Sequence, residues 1–181
     1  MKTLALVENR RLALLGVVGF AAALAAASQV AIPIPGTPVP ITLQPLLVVL
    51  AGMMLGPVFG AAGMVLYLAA GAAGLPVFAP IGAPGVLRLI GPTGGYLLAY
   101  PLAAYVAGML ALRARTFSGR SLAAAAGVLV LYLGGLSQLA VLTGSLTRAA
   151  LLGVVPFVAL DAVKSLIAAA VTRSPVRDRT V

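Results

Sequence analysis

The sequence predicts an all-α integral membrane bundle of six transmembrane helices with both termini cytoplasmic, and three observations lead there. The 181 residues are 62% hydrophobic and 8% charged, with mean hydropathy +1.15, whereas soluble domains carry about 25% charged residues. No charge interrupts the 76 positions 12–87, and a span needs only about 20 apolar residues to cross about 30 Å of hydrocarbon. The basic residues also gather in three clusters: Lys2, Arg10 and Arg11; Arg113, Arg115 and Arg120; Arg173, Arg177 and Arg179.

Proline and glycine clusters divide the apolar sequence into helices over 11–32, 43–55, 58–75, 94–112, 121–144 and 149–172. The first begins at a basic pair and contains Ala25, Ala26 and Ala27, so a cleavable signal peptide is its alternative. Its apolar run exceeds a usual signal core, and five more spans follow. The second is short, rising about 20 Å by itself, so it begins earlier, within 38–42, or lies tilted. Basic clusters mark cytoplasmic ends. Placing all three inside requires an even number of spans between them, and four followed by two satisfies this. The chain reads as a single membrane domain, 1–181, with cytoplasmic tails at about 1–10 and 173–181. The outer loops are then 31–42 and 75–93, with a short outer turn at 145–148.

Net charge +9 would suggest nucleic acid in a soluble protein, but clusters at span ends are orientation signals, so membrane lipid is the expected surroundings. Cysteine and histidine are both absent, which excludes disulfides, thiol catalysis and His- or Cys-based metal sites. The three carboxylates, Glu8, Asp161 and Asp178, leave little for a membrane hydrolase or proton relay. Neither lysine, Lys2 or Lys164, follows a glycine, so the chain has no phosphate-binding loop of the G-x-x-x-x-G-K type. Any use of ATP belongs to partners.

Asp161 and Lys164 are the one opposite-sign pair inside an apolar segment. A charge at mid-span costs roughly 2.5–3.5 kcal/mol, which makes an ionisable residue there a functional candidate by default. Three residues turn a helix by about 300°, so both side chains share one face. Counted from the cytoplasmic end of a continuous helix, they stand about 18 and 13 Å up. An acceptor beside a donor suits a small ligand with alternating donors and acceptors. The alternative is an internal ion pair that fixes packing, although such pairs are often no better for stability than apolar replacements.

Arg88 and Arg148 are the two cations on the outer side. Arg88 can meet an anionic group or be a solvated loop charge, and Arg148 suits a headgroup anchor. The loop IPIPGTPVPITLQP, 32–45, holds five prolines and should form a stiff cap. At its end Thr42 and Gln44 can bond a ligand or cap the second helix. In GPTGGY, 91–96, adjacent glycines at a helix start offer backbone N–H groups to an anion. Alanine pairs four apart, Ala21 with Ala25 and Ala22 with Ala26, together with Gly56 and Gly60, allow close helix approach, within the chain or to another membrane protein.

Together these strings resemble the BioY family, the biotin-specific S components of energy-coupling-factor (ECF) transporters. They are QVAIPIPGTPVPITLQP (29–45), LAGMMLGP (50–57), YLAAGAAGLPVFA (67–79), GPTGGYLLAY (91–100) and PFVALDAVKSLIAA (156–169). The resemblance implies high-affinity biotin capture from outside and uptake across a bacterial or archaeal cell membrane. It implies partners too: a transmembrane coupling subunit and two cytoplasmic ATPases. Biotin is then cargo, and no cofactor is expected. By resemblance, Asp161 and Lys164 meet the ureido ring, Gly95 and Tyr96 line the pocket near the tail, and Phe78 and Tyr67 wall the thioether ring. Arg88 is the available cation for the biotin carboxylate, with Gln44 and Thr42 as further contacts. Ala21, Ala22, Ala25 and Ala26 offer the docking face, in a register left open. The competing readings are an S component for another vitamin, a membrane enzyme, or a non-transporting assembly partner.

Overall fold

The structure is a computed structural model and describes residues 10–172. The expected tails, Arg10 excepted, lie outside the described residues, and with them Lys2, Glu8, Arg173, Arg177, Asp178 and Arg179. Among the described residues eight helices follow in order: α1 Arg10–Ser28, α2 Gln44–Leu55, α3 Pro57–Ala72, α4 Leu87–Ile90, α5 Gly94–Ala111, α6 Phe117–Thr143, α7 Leu146–Gly153 and α8 Val158–Val171. Among the described residues extended backbone pairs at one isolated bridge, Ile32 to Ile41, so the fold is all-α. By length and composition α1, α5 and α6 each suffice to cross a membrane, and α7 with α8 forms a fourth candidate. Helices α2 and α3 are apolar but have 12 and 16 residues, rising about 18 and 24 Å.

The short α2 is the centre of the bundle. It touches α1, α3, α5, α6 and α8, and Val48, Val49 and Ala51 are wholly buried. Glycine makes this possible at one crossing. A Cβ on Gly52 would strike the Ala104 carbonyl of α5, one on Gly60 the Gly52 backbone, and one on Gly108 the Gly52 carbonyl. Three helices therefore meet backbone to backbone, the close approach that small residues permit in membranes. At the α2–α3 joint Gly56 has φ +83°, a left-handed conformation that glycine adopts without strain.

Helix α1 packs on α3 and α2 through Ala13, Val17, Ala21, Leu24 and Ser28. This corrects the expectation for Ala21, which sits in the molecule's own core and is not free to meet a partner. Ala25 is half-buried, and Ala22 and Ala26 are exposed. The fifth predicted span starts four residues earlier than 121. Thr116 caps α6 by accepting the Gly119 N–H at 3.0 Å, and Gly144, at φ +66°, ends it.

The largest departure from expectation is in the sixth segment. One continuous helix over 149–172 was expected, but α7 and α8 are separate and bent by 55°. The cause is Pro156, which lacks an N–H and whose ring conflicts with the carbonyl four residues back. That carbonyl is Leu152, and it accepts the Thr37 hydroxyl at 2.6 Å. The Phe157 N–H turns to Val154, which leaves the Gly153 carbonyl to accept the Tyr96 hydroxyl at 2.5 Å. The break thus exposes two acceptors that bind the cap loop and α5.

The cap is a hairpin-like loop closed by Ile32 N–H to Ile41 O (2.9 Å) and Ile41 N–H to Ile32 O (2.8 Å). Val39 is buried beneath it against Leu139, Ala149 and Phe157. Thr37→Val should release the cap from α7 at a cost of about 1 kcal/mol, raising amide exchange across 32–41 about fivefold. Hydrogen-exchange mass spectrometry checks this, and unchanged exchange would remove the latch.

Candidate functional site

Under the cap lies a cavity with about 70 Å³ open to the centre of a water-sized sphere. One water needs roughly 10–15 Å³ on that measure, so the space suits a small organic molecule. The cap contributes Val39, Pro40 and Thr42, α2 adds Gln44 and Pro45, and the loop before α4 adds Phe78 and Ala79. Tyr96, Leu97 and Tyr100 come from α5, Leu131 and Tyr132 from α6, and Gly153 and Phe157 from the α7–α8 break. Arg88, Asp161 and Lys164 supply the charges. A mostly apolar wall with few polar groups is the usual form of a small-molecule site.

Asp161 and Lys164 are 4% and 8% exposed, so their charges are compensated by each other and by neighbours rather than by water. Lys164 Nζ donates to Asp161 Oδ1 at 2.7 Å, and the Tyr132 hydroxyl donates to Oδ2, also at 2.7 Å. The helix break changes the setting expected for this pair. Asp161 lies in the first turn of α8, where unpaired backbone N–H groups and the helix dipole favour a carboxylate. It is not the mid-helix charge that an unbroken span implies.

Arg88, on the four-residue α4, is buried rather than solvated. Its guanidinium donates to the Ala79 carbonyl at 3.1 Å and to the Ile81 carbonyl, which folds the outer loop around it. Burial draws the guanidinium below its ordinary value, yet arginine starts so high that it stays charged. Gln44 is buried and donates to the Tyr67 hydroxyl at 2.9 Å. The Thr42 hydroxyl accepts the Gln44 N–H at 3.3 Å, a local bond at the start of α2.

Seven of the expected site residues therefore border one cavity: Asp161, Lys164, Arg88, Tyr96, Phe78, Gln44 and Thr42. Tyr67 and Gly95 lie behind the wall. Tyr67 is 1% exposed and supports Phe78 edge-on at 5.4 Å between ring centroids, and Tyr100 at 6.2 Å. Gly95 faces α6, where a Cβ would strike the Gly134 carbonyl. The Gly94 N–H is taken by Gly91 O at 3.0 Å, and a Cβ on Gly94 would strike the Leu89 carbonyl, so Gly94 and Gly95 serve close packing. The Tyr96 ring rests on Gly135 and its hydroxyl on Gly153, both without room for a Cβ.

Sequence reasoning overlooked Tyr132 and Tyr100. A signal existed for Tyr132, a hydroxyl within the apolar run VLVLYLGG, far from the span ends where tyrosines gather. Arg148 is exposed beyond the cavity.

Residues 1–179 match the BioY family. The probable biotin transporter BioY of Pyrococcus horikoshii is 39% identical over 128 residues, covering 71% of this chain and 75% of that protein. The biotin transporter BioY of Thermotoga maritima is 36% identical over 138 residues, covering 76% and 81%. A crystal structure of the S-component for biotin from an ECF-type ABC transporter superposes with TM-score 0.81 at 25% identity, covering 89% of this chain and 88% of that one. These relatives are transport proteins rather than enzymes, in keeping with the apolar helices found here. With nearly its whole length matching the family and its relatives aligned over most of theirs, this chain belongs to the BioY family.

Proposed function

We propose that this chain captures biotin at the outer face of a bacterial or archaeal inner membrane and takes it into the cell as the S component of an ATP-driven ECF transporter. The observation that carries this reading is the Asp161–Lys164 pair, buried in the wall of a largely apolar cavity in a BioY-family chain. A cyclic urea offers N–H donors to Asp161 and a carbonyl acceptor to Lys164. Phe78 and the apolar wall suit the thioether ring, and Tyr96, Thr42 and Gln44 complete the contacts. Arg88 takes the carboxylate. It is the cavity's second cation, and Lys164 is already paired. A guanidinium has five donors, more than the two carbonyls Ala79 and Ile81 use.

Six spans with both termini cytoplasmic remain the topology we propose, for a single membrane domain of 1–181. Burial of α2 within the bundle supports it, because a helix screened from lipid need not match the full hydrocarbon thickness. Four of the proposed spans, α1, α2, α3 and α5, separate Arg10 and Arg11 from Arg113, Arg115 and Arg120, which keeps both clusters on one side. The docking face toward a coupling subunit is assigned to Ala22 and Ala26, with Ala25 at its edge. Two separate ATPases provide the energy, and biotin is cargo with no resident cofactor.

Calorimetric titration of the purified chain in detergent tests the reading. Biotin should bind, with a preference of about tenfold or more over biotinamide, whose neutral amide lacks the charge that Arg88 meets. No binding of biotin by the intact chain sinks the proposal. Equal affinity for acid and amide removes Arg88 from the carboxylate.

A further inference from the structure

The carboxylate of Asp161 is held from two helices. Lys164, one turn along α8, takes Oδ1, and Tyr132, reaching from α6, takes Oδ2, each at 2.7 Å. A lysine on the same helix could by itself draw the carboxylate along the helix surface, because both side chains are flexible and the pair has one point of contact. A donor from a second helix fixes the carboxylate plane. An ionised carboxylate has about four acceptor sites. With one used on each oxygen, the free lone pairs are left at defined angles, and hydrogen bonds weaken steeply when misaligned.

We propose that Tyr132 is a positioning residue for ligand recognition: its hydroxyl orients the Asp161 carboxylate so that the remaining lone pairs meet the N–H donors of the ligand. This rests on the biotin reading above. Tyr132 also borders the cavity itself. Its single hydroxyl hydrogen is committed to Asp161, so the oxygen can only accept from a ligand, which makes this end of the cavity an acceptor surface beside the Lys164 donor. Ligands with a donor–carbonyl–donor edge fit that pattern, and ligands with acceptors alone do not.

Tyr132→Phe removes the hydroxyl and keeps the ring. In the full-length protein in detergent, biotin affinity should fall about tenfold, as expected for one charge-assisted hydrogen bond. The ligand-free melting temperature should stay within about 3 °C. Packing of the Tyr132 ring alone would not move the second readout, the infrared carboxylate stretch of Asp161, identified as the band lost in Asp161→Asn. That band should shift in Tyr132→Phe without ligand. Unchanged biotin affinity overturns the proposal, and so does weakened affinity with an unmoved band, since Tyr132 would then act by packing. If the intact chain binds no biotin, the biotin reading fails by itself, while the band still reports whether Tyr132 holds Asp161.

Discussion

Lys164→Ala should cost the protein both its ligand and much of its stability, whereas Asp161→Leu combined with Lys164→Met should cost only the ligand. Removing Lys164 leaves a carboxylate, 4% exposed in the intact protein, with Tyr132 as its remaining side-chain partner. Breaking a buried pair on one side typically costs 3–5 kcal/mol, because the surviving charge stays desolvated and uncompensated. Replacing both partners by apolar residues of similar volume is often neutral or stabilising. Ligand-free thermal unfolding in detergent should therefore rank the double variant above Lys164→Ala. Calorimetry should find biotin affinity reduced about a hundredfold or more in both, and likewise in Asp161→Asn. Biotin affinity within about twofold of the intact protein in the double variant would make the pair a packing device. This combination separates recognition from stability, which either single substitution would confound.

The second large effect is expected at Gly95. A Cβ there would strike the Gly134 carbonyl and crowd Gln138, at the contact between α5 and α6. Backbone cannot yield as a flexible side chain does, so Gly95→Ala should destabilise by about 3 kcal/mol, a fall of roughly 6–12 °C in the ligand-free melting temperature. Gly19→Ala is the control, because a Cβ at Gly19 meets nothing within 4 Å and alanine favours the helix. Reduced biotin affinity with an unchanged melting temperature in Gly95→Ala would instead return Gly95 to the cavity wall.

Both predictions concern residues that the sequence singles out, and the structure treats them differently. The spacing of Asp161 and Lys164 is local. Three residues on any helix share a face, so their contact followed from the chain itself. The role of Gly95 depends on Gly134, and that of Tyr67 on Gln44, Phe78 and Tyr100, none of them near in sequence. The family resemblance puts both in the pocket wall. Packing places them one layer behind it.

Pro156 illustrates the same division. Its presence in the sixth apolar segment is plain in the sequence, but proline within a membrane helix is tolerated whenever neighbours satisfy the freed carbonyls. Whether it breaks the helix depends on those neighbours. Here Thr37 takes the Leu152 carbonyl and Tyr96 that of Gly153, so the break is stable and Asp161 lies at the start of a new helix. Four alanines of α1 were likewise equivalent on paper. Burial of α1 against α2 and α3 withdrew Ala21 and left Ala22 and Ala26 exposed.

By itself the sequence determined that the chain is helical and embedded in lipid, that it carries no phosphate loop of the G-x-x-x-x-G-K type and no thiol or imidazole chemistry, and that one ion pair inside an apolar segment, two outer arginines and one proline-rich loop are its chief polar resources. Those properties follow from composition and from spacings of a few residues, which hydrophobicity and helix geometry turn directly into structure. Only the tertiary structure decided that Arg88 is buried, that α7 and α8 are separate, and that Tyr132 holds Asp161. Each depends on groups between 7 and 115 positions apart meeting in space, and no local preference of the chain specifies which distant partner fills a freed carbonyl or a charged oxygen.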